Sequence, residues 1–147
     1  MTSDALEPAS FSESGHSAAT RRRFRAGDMA QHLDMALLGE LCLAVSVEGY
    51  KGLMDDFWSD AAGQLHPLLD ALRCSFFDDI PRLAHSLKGV AASLGCTGVA
   101  AMARSIELNA PHFSVHACLQ AAAQIEAQWH LTHALCFQAG FTRFPAA

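Results

Sequence analysis

From Asp34 onward, apolar residues recur every three or four positions, and residues that start or stop helices cut the recurrence at short intervals. That pattern constrains the fold more than anything else in the chain. A half-buried strand needs apolar residues at a period of two, and the β-branched residues here are too scattered to supply it, whereas Ala and Leu are abundant. A first short helix starts at the cap Asp34 and carries Leu37, Leu38, Leu41 and Val45 on one face. A longer one follows from about Val47, with Leu53, Phe57, Ala61, Leu65, Leu69 and Leu72 at helical spacing. Pro67 lies inside that run and predicts a kink, because proline removes a helical hydrogen bond. Asp78-Asp79-Ile80-Pro81 is a helix start, with acids at the positive end of the dipole and proline in the first turn. That helix runs to Leu94, and Gly95 stops it. Thr97 is expected to cap the next, which reaches about Asn109 before Pro111. Ser114 opens the last, where Val115, Cys118, Ala122, Ile125, Trp129 and Cys136 fall close to one stripe. A short leading helix and four substantial helices joined by short loops predict an all-α fold, an up-down four-helix bundle preceded by a short N-terminal helix.

The bundle is expected over residues 34–142. Residues 1–33 hold four arginines, all within Arg21–Arg25, against Asp4, Glu7, Glu13 and Asp28, so the net charge of −5 belongs to the body. Ser, Ala and Thr are frequent in this stretch and no apolar period is sustained, which reads as a disordered leader or interdomain linker. A chain of 147 residues makes one domain, large enough to fold without disulfide or metal staples. No apolar run approaches the roughly 20 residues of a membrane span, and the first residues lack a signal peptide's apolar stretch. Five cysteines without a CxxC pair read as reduced, mostly core residues of a cytoplasmic protein. The acidic balance, with only two lysines in the whole chain, argues against nucleic acid as a partner.

The third of these helices, counting the short leading one, is the informative one. At about 100° per residue and with Leu83 at zero, Leu87, Val90 and Leu94 fall within about 40° of it and define the expected core face. His85 lands near 200°, facing solvent, with Lys88 and Gly89 beside it three and four residues on, Ala92 at seven, and Ala84 adjacent. An imidazole is thereby presented with an ammonium at its side and a strip almost bare of side chains above it. A neutral imidazole is a nucleophile near pH 7 and can hold a phosphoryl group as a phosphoramidate. A neighbouring lysine can stabilise charge on transferring oxygens. An exposed glycine in mid-helix costs roughly 1 kcal/mol relative to alanine and is explained if something bulky must come close. Helix geometry alone leaves open a merely solvated His85, one of eight histidines.

The run Ala84-His85-Ser86-Leu87-Lys88-Gly89, continuing Val90-Ala91-Ala92-Ser93-Leu94-Gly95, resembles the core signature of histidine-containing phosphotransfer (HPt) domains, and the likeness extends to Ile106-Glu107. It covers about 24 residues closely. The resemblance implies a four-helix bundle that relays phosphate between receiver domains in two-component signalling. His85 would be the phosphorylated residue, Lys88 would assist the phosphoryl group, and Gly89 would leave room for the partner, with Ala84 and Ala92 around the contact. Glu107 matches a position that in some members is polar and hydrogen-bonds the histidine ring, and a solvated surface acid is the other reading there. No glycine-rich nucleotide loop is present, so the chain is not expected to phosphorylate itself. No cofactor or metal of its own is expected, Mg²⁺ being supplied by the receiver. The implied partners are receiver domains and a hybrid sensor histidine kinase, of which this chain would be a C-terminal part or a stand-alone companion. Pro67 departs from the smooth second helix expected of the family.

Two other readings stand beside this one. The bundle could be a signalling interaction module that carries no phosphate, or a small metalloprotein using the pairs His112/His116 and His130/His133. No cysteine or carboxylate pair completes either set, so surface histidines are the better expectation. Trp58, Trp129 and the phenylalanines, including Phe76-Phe77, are expected in core or bundle-end packing.

Overall fold

Caps and breakers place most of the helix ends. The computed structural model describes residues 26–145, and every regular element among them is helical. In order these are α1 (Ala26–His32), α2 (Met35–Ser59), α3 (Ala61–Gln64), α4 (His66–Arg73), α5 (Ile80–Ser93), α6 (Thr97–Asn109), a 3₁₀ turn (Ala110–His112) and α7 (Val115–Gln138). The Asp34 carboxylate accepts the Leu37 amide at 3.0 Å and opens α2, and the Ser114 hydroxyl does the same for Ala117 at the head of α7. Gly95, at φ +83°, ends α5 in the left-handed conformation that side chains disfavour. That turn is tight enough for Thr97 to be the first residue of α6 rather than its cap; Cys96 takes the cap position without a side-chain bond.

α2 is two helical pieces joined at Ser46, whose φ of 71° breaks the backbone where the sequence pattern changes helix. The Ser46 hydroxyl accepts the Gly49 amide at 3.0 Å and so recaps the second piece. The kink expected at Pro67 lies elsewhere. The wall breaks at Asp60 and Leu65, and Pro67 sits in the first turn of α4, where its missing N–H has no partner to lose.

Packing joins α4 to α5, α5 to α6, α6 to α7 and α7 back to α4, which closes a ring of four helices. The second piece of α2 extends the α4 wall and buries Tyr50, Met54, Phe57 and Trp58. At the centre, Trp58 meets Phe57 and Trp129 with ring centroids 4.7 and 4.9 Å apart. His133 stacks on Trp58 at 4.7 Å and 5° between planes. A surface position was expected for it, but it lies one turn beyond Trp129 on the buried stripe of α7, and its flat ring fits the aromatic cluster; it is only 6% exposed. Its Nε2–H donates to the Phe144 carbonyl at 2.7 Å. All five cysteines are free, with Cys96, Cys118 and Cys136 buried, Cys42 half-buried and Cys74 exposed.

Helix and packing are also found ahead of Asp34, over residues 26–33. α1 packs on α6, and Leu33 is 1% exposed. Gly98 makes room for this: a side chain there would strike the Gln128 amide and the His32 ring, which are 3.0 Å from each other. Residues 1–25, with Phe11 and the Arg21–Arg25 cluster, lie outside the described residues. At the other end Asp55 accepts the Thr142 hydroxyl at 2.7 Å and the Arg143 amide at 2.9 Å, strapping the chain past α7 onto α2.

Burial pushes His133 below the ordinary imidazole range, the neighbouring His130 adds to this, and the Phe144 carbonyl opposes it. The unfolded chain takes up a proton there near pH 6.5 and the folded chain only at lower pH, so stability falls as pH drops below about 6.5. The denaturant midpoint is therefore expected to decline from pH 7.5 toward 5.5, before the carboxylates titrate. His133→Phe, which keeps the stack, should flatten that decline. An unchanged slope in the variant would refute the assignment.

Candidate functional site

α5 starts where Pro81 presets the backbone and ends at Gly95, which fixes how its faces are turned. Its buried residues are Ile80, Ala84, Leu87 and Ala91, while Leu83 and Val90 are only partly covered. The core face is thus rotated by about 60° from the one drawn through the large aliphatics. α6 packs along α5 and buries Val99 and Ala103, and small residues such as Ala84 and Ala91 on the buried side of α5 let two helices come close. Ala84, expected on the docking surface, is 0% exposed and cannot take part in it.

The rotation moves Lys88 from the outer face to the flank that meets α6. His85 stays out, with 66% of its side chain exposed, while Lys88 retains 28%. Gly89 and Ala92 remain at the surface. A Cβ added at Gly89 would meet nothing within 4 Å, so no packing within the chain requires glycine there.

Glu107, on α6, ties these residues together. One carboxylate oxygen lies 2.8 Å from His85 Nδ1, and the other accepts from Lys88 Nζ at 2.8 Å. The Lys88 hydrogen bond is the strongest influence holding the Glu107 carboxyl below its usual range, and the His85 ring adds to it against the cost of partial burial. A carboxylate beside Nδ1 makes Nδ1 the protonated nitrogen and leaves the lone pair on Nε2, at the far side of an exposed ring. Of the two sequence readings for Glu107, the hydrogen-bonded one is therefore found. Chemically, the arrangement offers an oriented nucleophilic nitrogen, a carboxylate to balance positive charge on the ring, and open space for a second molecule.

The remaining expectations divide. His112 and His116 are exposed, but His130 is half-buried and His133 is in the core. Among the described residues no group of three or more His, Cys, Asp or Glu is placed to hold a metal ion. Phe76 and Phe77, expected in the core, are 55% and 41% exposed. The turn at Ser75, with φ 56°, carries them outward, and the Asp79 amide bonds back to the Phe76 carbonyl at 3.0 Å. One residue passed over in the sequence, Arg104, is exposed on α6 a single turn before Glu107, and that three-residue spacing was the available signal.

Among the described residues no helix is long and apolar enough to cross a membrane. No curated protein and no solved structure matches the chain. A family model, the Hpt domain, matches residues 52–135, more than half of the sequence, and takes in His85, Lys88, Gly89 and Glu107. The chain belongs to the Hpt domain family, whose helical bundles pass phosphoryl groups through histidine in two-component phosphorelays and interact with the receiver domains of response regulators.

Proposed function

We propose that His85 carries the phosphoryl group between receiver-domain aspartates, within a cytoplasmic phosphorelay fed by a hybrid sensor histidine kinase to which this chain belongs as a domain or companion. The observation that carries this reading is the Glu107 bridge. It holds Nδ1 and leaves Nε2 free on an exposed ring next to a glycine that no internal packing requires. In the forward step the Nε2 lone pair attacks phosphorus of the aspartyl phosphate. The P–O bond to the aspartyl oxygen breaks, and the aspartate leaves as a carboxylate. The new N–P bond leaves the ring cationic, and Glu107 faces that charge from Nδ1. A second receiver reverses the step.

Incubation with a receiver charged by phosphoramidate tests the reading: acid-labile phosphate should move onto this chain. Binding without transfer would favour an interaction module instead. Lys88 is expected to assist rather than to be essential. Lys88→Ala removes a cation and strands the Glu107 charge beside the incoming phosphoryl group. Transfer should slow by about 10- to 100-fold, less than at a dry enzyme site, because the position is partly solvated. Lys88→Ala combined with Glu107→Gln should recover part of the loss. A double variant slower than Lys88→Ala alone would mean that the stranded carboxylate is not the cause.

A further inference from the structure

Among the described residues, ion pairing leaves one lysine or arginine over. Six lysines and arginines fall within the described residues. Lys51 pairs with Glu48, Arg73 with Glu126, Arg82 with Asp79, Lys88 with Glu107 and Arg143 with Asp55. Arg104 has no ion-pair partner among the described residues, although acids outnumber bases in the body of the chain. Its position adds to this. α5 and α6 are joined by residues 94–96 and pack along their length as an antiparallel pair, with His85 opposite Glu107. One turn up α5, from His85 to Gly89, therefore corresponds to one turn back along α6, from Glu107 to Arg104. The exposed residues of that stretch are small, Gly89 and Ala92 on α5 and Ala101 on α6, and Arg104 is exposed with them. Meanwhile Lys88 is neutralised by Glu107, so the cluster of His85, Lys88 and Glu107 has no net charge when the imidazole is neutral.

We propose that Arg104 is the steering and orienting charge of the docking surface, pairing with an acidic side chain of the receiver that lies across the Gly89–Ala92 strip. The proposal rests on His85 being the phosphoryl carrier. A partner bearing an aspartyl phosphate is anionic and approaches a body of net charge −5, so an uncompensated cation beside the landing strip raises the encounter rate and fixes which way round the partner sits. Arg104 does not touch the reacting atoms; it acts through the partner's placement.

A rim charge of this kind changes kcat/KM and its salt dependence while leaving the chemical step alone. The test measures transfer from a phosphoramidate-charged receiver to wild type, Arg104→Glu, Arg104→Gln and Arg104→Lys, at salt from about 20 mM to about 500 mM. Arg104→Glu should lower kcat/KM about tenfold at low salt, Arg104→Gln by less, and Arg104→Lys hardly at all. The differences should shrink as salt rises, and kcat at saturating receiver should stay within about twofold of wild type. Direct phosphorylation by phosphoramidate alone, with no receiver to orient, should be equal in all four proteins. The proposal is overturned if Arg104→Glu matches wild type at low salt, if its defect persists at high salt or appears in kcat, or if the small donor slows equally. If wild type accepts no phosphoryl group from either donor, the reading of His85 falls first and this one with it.

Discussion

His85→Gln is expected to take up no phosphoryl group from a charged receiver while folding as the wild type does. Glutamine is helix-compatible, and the position is exposed, so stability should change by less than about 0.5 kcal/mol. Its amide can still donate to Glu107, which also keeps Lys88 at 2.8 Å, so the charge pattern of the site survives. What disappears is the lone pair, because an amide nitrogen gives its electrons to the carbonyl and is not a nucleophile. The decisive reading is acid-labile, base-stable phosphate on the protein after incubation with charged receiver. The variant also controls for the other histidines. His112 and His116 are exposed and chemically capable of accepting phosphate from a reactive donor, but neither has a carboxylate bonded to its ring among the described residues. Acid-labile phosphate on His85→Gln at the wild-type rate would place the acceptor elsewhere and remove the basis of the functional reading.

Where the sequence was legible, the cause was local. Asp34, Pro81, Gly95 and Ser114 act on the backbone within a turn of themselves, and the helix boundaries they mark are found within about a residue or two. Where it was not, a distant partner decided. α1 is a seven-residue helix that no local pattern announces; it is held by Leu33 and by the space above Gly98, which involves Gln128 far along the chain. Asp60 caps a new turn and ends the α2 wall before Pro67 has any effect. The face of α5 was misjudged for a related reason. Counting large aliphatics finds the greasiest side of a helix, but close helix–helix contact is made through small residues, and the alanines of α5 determine which side meets α6. His133 and Phe76-Phe77 exchange their expected places because stacking on Trp58 and the Ser75 turn are tertiary facts. The site divides in the same way. His85, Lys88 and Gly89 lie within one turn or so and could be placed by arithmetic. The bond from His85 to Glu107 spans 22 residues, and only the packing of α5 on α6 brings it about.

Gly89→Leu separates the needs of the fold from the needs of the partner more sharply than any other single change. The added side chain would meet no neighbour within 4 Å at its first carbon, so the bundle has nothing to rearrange. Glycine in mid-helix costs about 1 kcal/mol relative to alanine, and leucine is nearly as good a helix former, so the variant should be more stable by roughly 0.5–1 kcal/mol. Transfer from a charged receiver should nevertheless fall by about 100-fold or more, since misplacing a reacting pair by about 1 Å is enough for a loss of that size. Gly89→Ala should lie between, adding one methyl group to the strip. Phosphorylation of His85 by phosphoramidate alone should be unaffected in both, because so small a donor reaches Nε2 without lying across α5. This contrast distinguishes a blocked approach from a damaged nucleophile. Equal losses with both donors would mean that leucine disturbs His85 itself, and full transfer from the receiver would mean that no partner surface passes over Gly89. A stabilised protein that has lost only the reaction with its macromolecular partner is the outcome that requires the glycine to serve the encounter rather than the fold.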